Sequence, residues 1–257
     1  MAENVQKAVF FDVDDTLYDH LSPLREALQE TVGLADEMPY EDIYYRFRYY
    51  SDLLSEEKNL SAVPEEEALA DMRRRRFMLA LAEFGVFLNE IEAEAAQTAY
   101  VNRQFQIQPF PGAMELMETL THSGVKVGLI TNGPAEHQQK KLKALQVERY
   151  IPENLIFVSG GVGYAKPDVR LFEHVNAITE TSPEHSYHVG DSWRNDVVGA
   201  IKAGWTVLWF NHRNADAESE HRPHFTVHHY QEIADILLSI CTKTGESKNM
   251  EEISDCP

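Results

Sequence analysis

From Phe110 onward the chain alternates short apolar runs with amphipathic stretches, and few folds accept that alternation. The apolar runs are 125–131, 155–159, 185–190 and 206–210, with a weaker one at 225–227. The amphipathic stretches fall near 112–123, 135–146, 168–178, 195–203 and 230–241. Short, continuously apolar runs read as strands buried on both faces. Helices in every connection are what cover both faces of such a sheet. The expected class is therefore α/β: a doubly wound, Rossmann-like parallel sheet. Sheets of this kind place their sites at the carboxyl ends of the strands. The residues that end each run are thus the candidates for chemistry.

One more strand lies at the start of the chain. Ala8-Val9-Phe10-Phe11 is apolar and runs straight into Asp12-Val13-Asp14-Asp15-Thr16-Leu17. Buried strands rarely finish in clustered acid, because like charges repel and lone carboxylates resist desolvation. Asp12 and Asp14, two apart on a rigid strand end, project to the same side. Two readings fit this segment taken alone. Asp and Thr after a strand can simply cap the next helix. Alternatively the carboxylates hold a hard, oxygen-liganded cation such as Mg²⁺, with one acting as nucleophile and the other moving protons.

Between Leu17 and Pro109-Phe110-Pro111-Gly112 the strand signal almost vanishes. Residues 18–108 read as helices near 22–33, 39–56, 64–84 and 90–105, with Pro23, Pro39 and Pro64 near plausible helix starts. A small α-helical domain over 18–108 is therefore expected to interrupt a core made of 1–17 and 109–241. The segment 242–257, with its Lys, Glu, Ser and Asn, reads as a disordered tail.

The formal net charge of −19 excludes several partners. Such a surface repels nucleic-acid polymers and anionic lipid. A small anionic substrate would then need local positive charge at its site. Arg73-Arg74-Arg75-Arg76 does not obviously supply it, since four consecutive helical residues point in four directions; the run reads as a solvated face. No apolar stretch is long enough to span a bilayer, and Met1-Ala2-Glu3-Asn4 does not open a signal peptide. The only cysteines, Cys241 and Cys256, offer neither a disulfide framework nor metal-ligand spacing. A cytoplasmic protein is the simplest expectation. The stretch from His221 to His229 lacks a partner cluster and reads as a surface feature.

The remaining strand ends carry further polar groups. Ile130-Thr131-Asn132-Gly133 ends one run with a hydroxyl and a glycine that permits close backbone approach. The helix after it offers N–H groups to an anion, although a turn of that composition can be only a turn. Ala165-Lys166-Pro167-Asp168 holds a lysine just before a helix, where it either neutralises a phosphate and a carboxylate or faces solvent. Val189-Gly190-Asp191-Ser192-Trp193-Arg194-Asn195-Asp196 ends another run, with two carboxylates that suit Mg²⁺; Asp196 could also serve only a helix N-terminus.

Four strand ends carrying acid, hydroxyl, lysine and acid, in that order, resemble the haloacid dehalogenase superfamily of phosphohydrolases. The resemblance runs from about residue 7 to 240, and the helical insertion looks like that superfamily's common cap. The layout is similar to its capped 5′-nucleotidase branch. The resemblance implies that Asp12 is the nucleophile and forms an aspartyl phosphate. It implies that Asp14 protonates the leaving oxygen and then activates water, for which a raised pKa would help. It assigns the phosphoryl group to Thr131, Asn132 and Lys166. It assigns Mg²⁺ to Asp12, the main-chain carbonyl of Asp14, and Asp191, with Asp196 close by. Mg²⁺ and Lys166 would keep Asp12 ionised.

The expected activity is Mg²⁺-dependent hydrolysis of a small phosphorylated metabolite. Dehalogenases of the superfamily lack the second aspartate, so Asp14 argues against carbon–halogen cleavage. Phosphonatase relatives use a cap lysine, and Lys58 alone gives no argument for that. Ile43, Phe47, Tyr50 and Leu54 follow helical spacing and read as cap core, whereas Tyr45 and Tyr49 could stack a nucleobase, with Arg46 and Arg48 nearby. A nucleoside 5′-monophosphate is therefore one expected substrate. A sugar phosphomutase, to which Asp19-His20 would be relevant, and a sugar-phosphate phosphatase are the alternatives. A non-catalytic binding module would be expected to have lost Asp12, Asp14 or Lys166, and all three are present.

Overall fold

The computed structural model describes residues 6–57 and 66–241. Six strands form one parallel sheet: β1 (Ala8–Phe11), β2 (Lys126–Thr131), β3 (Ile156–Val158), β4 (Ser186–Gly190), β5 (Thr206–Phe210) and β6 (Phe225–Val227). Their order is β3-β2-β1-β4-β5-β6. The chain therefore winds outward from β1 in one direction and returns to its other side at β4. That reversal opens a crevice at the carboxyl end of β1, where doubly wound sheets place ligands. Phe11 pairs with Leu129 on one side and Val189 on the other, so three strands end almost level there.

The two faces of β1 explain why both sides of the sheet are covered. Val9 and Phe11 join a cluster with Leu116, Met117 and Leu237 from α5 (Ala113–His122) and α10 (Tyr230–Cys241). Ala8 and Phe10 join the opposite cluster with Leu171, Phe172 and Val175 from α8 (Val169–Thr179). Adjacent strand residues thus serve opposite layers, as the period of two requires. The fourth core-side helix that matters for the site is α6 (Ala135–Ala144).

Between β1 and α5 lie α1 (Leu21–Val32), α2 (Tyr40–Glu57), α3 (Glu66–Ala82) and α4 (Glu90–Arg103). They bury their own cluster, with Leu24, Ile43, Phe47, Phe77, Leu81 and Tyr100 at its centre. Local signals set their ends. Asn89 accepts from the Ile91 and Glu92 N–H groups while the Glu92 carboxylate accepts from the Asn89 N–H, a reciprocal cap that starts α4. Gly33 closes α1 in the left-handed region at φ 72°. The expected tail and the residue Lys58 lie outside the described residues.

The sequence differs from the structure most after β4. A continuous helix over 195–203 was the expectation; instead a π-turn at Trp193–Val198 leads into the short α9 (Gly199–Lys202). The wider turn folds Asp196 back so that its carboxylate accepts the Ser192 N–H at 2.9 Å. A further single turn, α7 (Ser159–Val162), follows β3 where only a loop was expected. Among the described residues, no helix is long and apolar enough to cross a membrane.

Candidate active site

Asp12 continues the β1 ladder by donating its N–H to the Val189 carbonyl at 2.8 Å, which seats its side chain at the crevice. Lys166 reaches it from the loop before α8. The Lys166 Nζ donates to Asp12 Oδ1 and Asp196 Oδ1, both at 2.6 Å, and to the Ile130 carbonyl at 2.9 Å. These three acceptors use all three ammonium donors. The lysine backbone is fixed in turn by Asn132. The Asn132 Nδ2 donates to the Lys166 carbonyl, and its Oδ1 accepts the Lys166 N–H, each at 2.9 Å. The Asn132 side chain was expected to bind phosphate; it is committed to Lys166, because its amide matches a peptide edge in both donor and acceptor.

Asp196 is fully buried beneath the end of β4. Its Oδ1 takes the Lys166 bond and lies 2.8 Å from His188 Nε2. Gly190 makes that position available, since a Cβ there would stand 2.3 Å from the Asp196 Cγ. Asp191 is tied to the first loop by Thr16, whose Oγ1 accepts the Asp191 N–H at 3.1 Å. Carboxylate oxygens of Asp12, Asp191 and Asp196 lie within 4.8 Å of one another.

The charges around this trio do not balance. Burial pushes Asp12 up to about 7, with Asp196 and Asp14 adding to the rise and Lys166 opposing it. Burial also raises Asp191 well above the usual carboxylate range. Burial works against Asp196 as well, but Lys166 and His188 outweigh it and hold Asp196 low. Lys166 alone therefore does not keep Asp12 ionised, and the expected combination of Lys166 with a cation is what the carboxylate calls for. Two buried carboxylates with too little counter-charge, made only of hard oxygen donors, fit a divalent cation such as Mg²⁺. Asp196 has both oxygens in short hydrogen bonds, whereas Asp191 has only a 3.3 Å bond from the Thr16 hydroxyl and a 3.6 Å contact with Arg48, so Asp12 and Asp191 are the less committed donors.

Asp14 occupies a different environment from the one expected. Its carboxylate accepts from the Lys141 Nζ at 2.8 and 2.9 Å, from Gln138 Nε2 at 3.1 Å and from the Tyr18 hydroxyl at 2.7 Å. Burial opposes its ionisation, but Lys141 prevails and drives its pKa far below the usual range. The expected raised pKa is thus overturned at rest, for the physical reason that a buried lysine faces it. Lys141 and Gln138 sit on one side of α6, three residues apart, and Leu145 follows on the same side. That spacing is a signal in the sequence, although Lys140 and Lys143 beside it conceal which lysine turns inward.

The helical unit forms the opposite wall. A cavity of about 200 Å³ is lined by Asp12, Asp14, Thr131 and Lys166 on one side and by His20, Phe47, Arg48, Asp52, Arg76 and Tyr100 on the other. Thr131 Oγ1 is buried and has no hydrogen-bond partner. Arg48 donates to the Tyr44 hydroxyl at 2.9 Å and lies 3.6 Å from Asp191. Both nitrogens of His20 are engaged, Nδ1 with Tyr44 at 3.1 Å and Nε2 with Tyr100 at 2.7 Å and Gln104 at 3.0 Å. Burial pushes His20 down to about 3, so it is neutral.

The family model for haloacid dehalogenase-like hydrolases matches residues 6–204. The chain belongs to that family. A glyceraldehyde 3-phosphate phosphatase of Methanothermobacter thermautotrophicus is 29% identical over 220 residues, covering 84% of this chain and 90% of that protein. The pyrimidine 5′-nucleotidase YjjG of Escherichia coli is 25% identical over 235 residues, covering 89% of this chain and 96% of its own length. The magnesium-bound structure of the putative hydrolase YfnB from Bacillus subtilis superposes with a TM-score of 0.68 at 23% identity, over 91% of this chain and 99% of that one. At that identity the likeness concerns the fold.

The hydrolase thus brings Asp12, Asp14, Thr131, Lys166, Asp191 and Asp196 to one crevice from separate loops. Arg76 is the clearest correction outside the strand ends. It was expected on a solvated face, yet it reaches the cavity, because a helix wound between two others has an inner side. Tyr45 and Tyr49 do not line this cavity. They border an adjoining cleft of about 450 Å³ between α2 and the loop after β5. The Arg46 guanidinium already covers Tyr49 at 4.2 Å and is paired with Glu83 at 2.6 Å. Asp15 partly keeps the capping role open to it: its Oδ1 accepts the His20 N–H at 3.0 Å just ahead of α1, and it also binds Arg213 at 2.6 Å.

Proposed function

We propose that this hydrolase cleaves small phosphate monoesters with Mg²⁺, by way of an aspartyl phosphate on Asp12, beneath a cap formed by residues 18–108. The observation that carries the proposal is the Asp12–Lys166 pair at 2.6 Å beside Asp191. It faces a buried threonine hydroxyl that no protein group satisfies. An anion would satisfy that hydroxyl. Of the relatives named above, one is a phosphatase and one a 5′-nucleotidase by name.

Bound Mg²⁺, held by Asp12, Asp191 and the Asp14 carbonyl with Asp196 in support, would supply positive charge for the transferring oxygens. Asp12 attacks phosphorus, and the bond to the leaving alcohol oxygen breaks. Thr131 donates to a phosphoryl oxygen, and Lys166 contributes charge while it holds Asp12. The leaving oxygen takes its proton from Asp14. At rest that proton sits on Lys141 Nζ, 2.8 Å from Asp14 Oδ1, and burial lowers the lysine's grip on it. Asp14 then removes a proton from the water that attacks the aspartyl phosphate and passes it to Lys141, while the phosphorus–oxygen bond to Asp12 breaks and phosphate leaves.

A p-nitrophenyl phosphate assay tests the reaction. Wild type should turn over only with a divalent cation, and Asp12→Asn should lose activity by about a thousandfold or more. Equal activity of the two proteins would refute the nucleophile. Nucleoside 5′-monophosphates are a second substrate reading, favoured by the Tyr45–Tyr49 side of the adjoining cleft. A panel of nucleotides against sugar phosphates decides it. Turnover of every nucleotide at or below that of the sugar phosphates removes this reading.

A further inference from the structure

We infer that the alcohol half of the substrate carries a carboxylate, and that Arg76 receives it. The inference rests on the phosphatase reading and adds the substrate class.

Arg76 differs from the other arginines around it. Arg46 pairs with Glu83, Arg74 with Glu94, Arg103 with Glu30, and Arg213 with Asp15, Asp19 and Glu41. Arg76 binds only neutral oxygens, Ser51 Oγ at 3.3 Å and Gln97 Oε1 at 2.6 Å. Among the described residues no carboxylate pairs with it; beyond burial, Tyr100 acts to raise its pKa and the like charges of Arg73 and Arg48 act to lower it. Its Nε is buried with no acceptor. Burial lowers its pKa to about 10, so it is still charged at neutral pH. In a chain of net charge −19, an arginine without a counter-ion on a cavity wall has been left for an anion from outside.

Its geometry narrows which anion. Phe47 lies 4.4 Å below the guanidinium and Tyr100 5.6 Å away. Stacking fixes the plane of the fork, and a planar carboxylate matches a fixed fork with two parallel bonds. Asp52 lines the same cavity and would repel a second dianion more than a single carboxylate. Size adds a limit. The cavity has a volume of about 200 Å³. A phosphoryl group with a short acid chain fits; a nucleoside would need the adjoining cleft as well. The phosphoryl end lies at Asp12 and Thr131, and Arg76 is across the cavity from them. The substrate class is a phosphorylated hydroxy acid.

The test compares matched small esters with and without the carboxylate: 3-phosphoglycerate against glycerol 3-phosphate, and phosphoglycolate against 2-hydroxyethyl phosphate. Wild type should favour the acid of each pair by about tenfold or more in kcat/KM. Arg76→Gln should lower kcat/KM for the acids at least about tenfold more than for their partners, mainly through KM. Arg76→Lys should recover part of the difference. Charge-assisted hydrogen bonds are strong enough to produce effects of that size. The inference is overturned if wild type shows no preference, if Arg76→Gln depresses both members of a pair equally, or if uridine 5′-monophosphate surpasses both acids. If no ester is hydrolysed, the phosphatase reading fails separately. Calorimetry on Asp12→Asn with 3-phosphoglycerate and glycerol 3-phosphate then reads the carboxylate preference without turnover, and equal affinities refute it.

Discussion

The two walls of the cavity beside Asp12 are built on opposite plans. On the sheet side nearly every polar group is held by another. Lys166 spends three donors on Asp12, Asp196 and the Ile130 carbonyl, and Asn132 clamps its backbone. On the helical side Arg76 has no counter-ion among the described residues, and Arg48 stands 3.6 Å from Asp191. A wall held by mutual bonds fixes the geometry that phosphoryl transfer needs. A wall with unspent charge is free to select an alcohol. On the proposed reading, chemistry would be set by the sheet and preference by the inserted helices.

The comparison breaks most readily at Lys166. Lys166→Met leaves Asp12 and Asp196 buried and uncompensated. Loss of one partner from a buried pair costs about 3–5 kcal/mol. We expect kcat to fall by about a thousandfold and the metal-free Tm by about 10 °C. A Tm within a few degrees of wild type would mean that the sheet-side wall is not held as described.

Lys141→Met should have the next largest effect, with a distinct pH signature. The Asp14 carboxyl is depressed in the folded state. Its pairing therefore adds stability above the unfolded value of about 3.9, and that stability is lost as pH falls through the folded value. Thermal melts should show a deficit for Lys141→Met of several degrees from about pH 7 down to about pH 4 that narrows only as pH falls below about 3.9. A deficit independent of pH would assign Lys141 to packing alone.

Magnesium should sharpen the contrast by a smaller amount. Asp12 is raised to about 7, so the stability associated with its neutral form is present below about 3.9 and lost as pH climbs to about 7. A cation competes with that proton. The Tm increase given by millimolar Mg²⁺ should therefore be a few degrees larger at about pH 8 than at about pH 5. An increase that does not change with pH would place the cation away from Asp12.

How much of this was legible in the sequence depended on the physical signal each group leaves. Strand ends were legible, because an apolar run stopping at Asp12, Thr131 or Asp191 breaks a pattern that burial enforces. Every strand lies within a residue or so of its expected span. The π-turn at Trp193–Val198 was not, since its cause is the three-dimensional approach of Asp196 to Gly190. Lys141 and Arg76 were hidden for a related reason. Each sits in a basic run, Lys140-Lys141 and Arg73–Arg76, and only helix packing decides which member turns inward. The identity of a buried partner is a long-range property, so the protonation state of Asp14 could not be read from its neighbours in sequence.

Thr131→Val separates pre-formed binding from structural support with the smallest expected change in stability. The Thr131 side chain is buried at the end of β2, where a β-branched residue suits the strand, and its hydroxyl has no protein partner. An unsatisfied buried hydroxyl costs stability, so replacing it by a methyl group should leave Tm unchanged or raise it by about 2 °C. Activity should move the other way. Losing one hydrogen bond to a charged oxygen should lower kcat/KM about tenfold or more for every ester, with or without a carboxylate. That uniform loss contrasts with the selective loss expected at Arg76. If Thr131→Val instead lowered Tm by several degrees, the hydroxyl would be supporting the loop, and the sheet-side wall would hold no group in reserve for the phosphoryl oxygens.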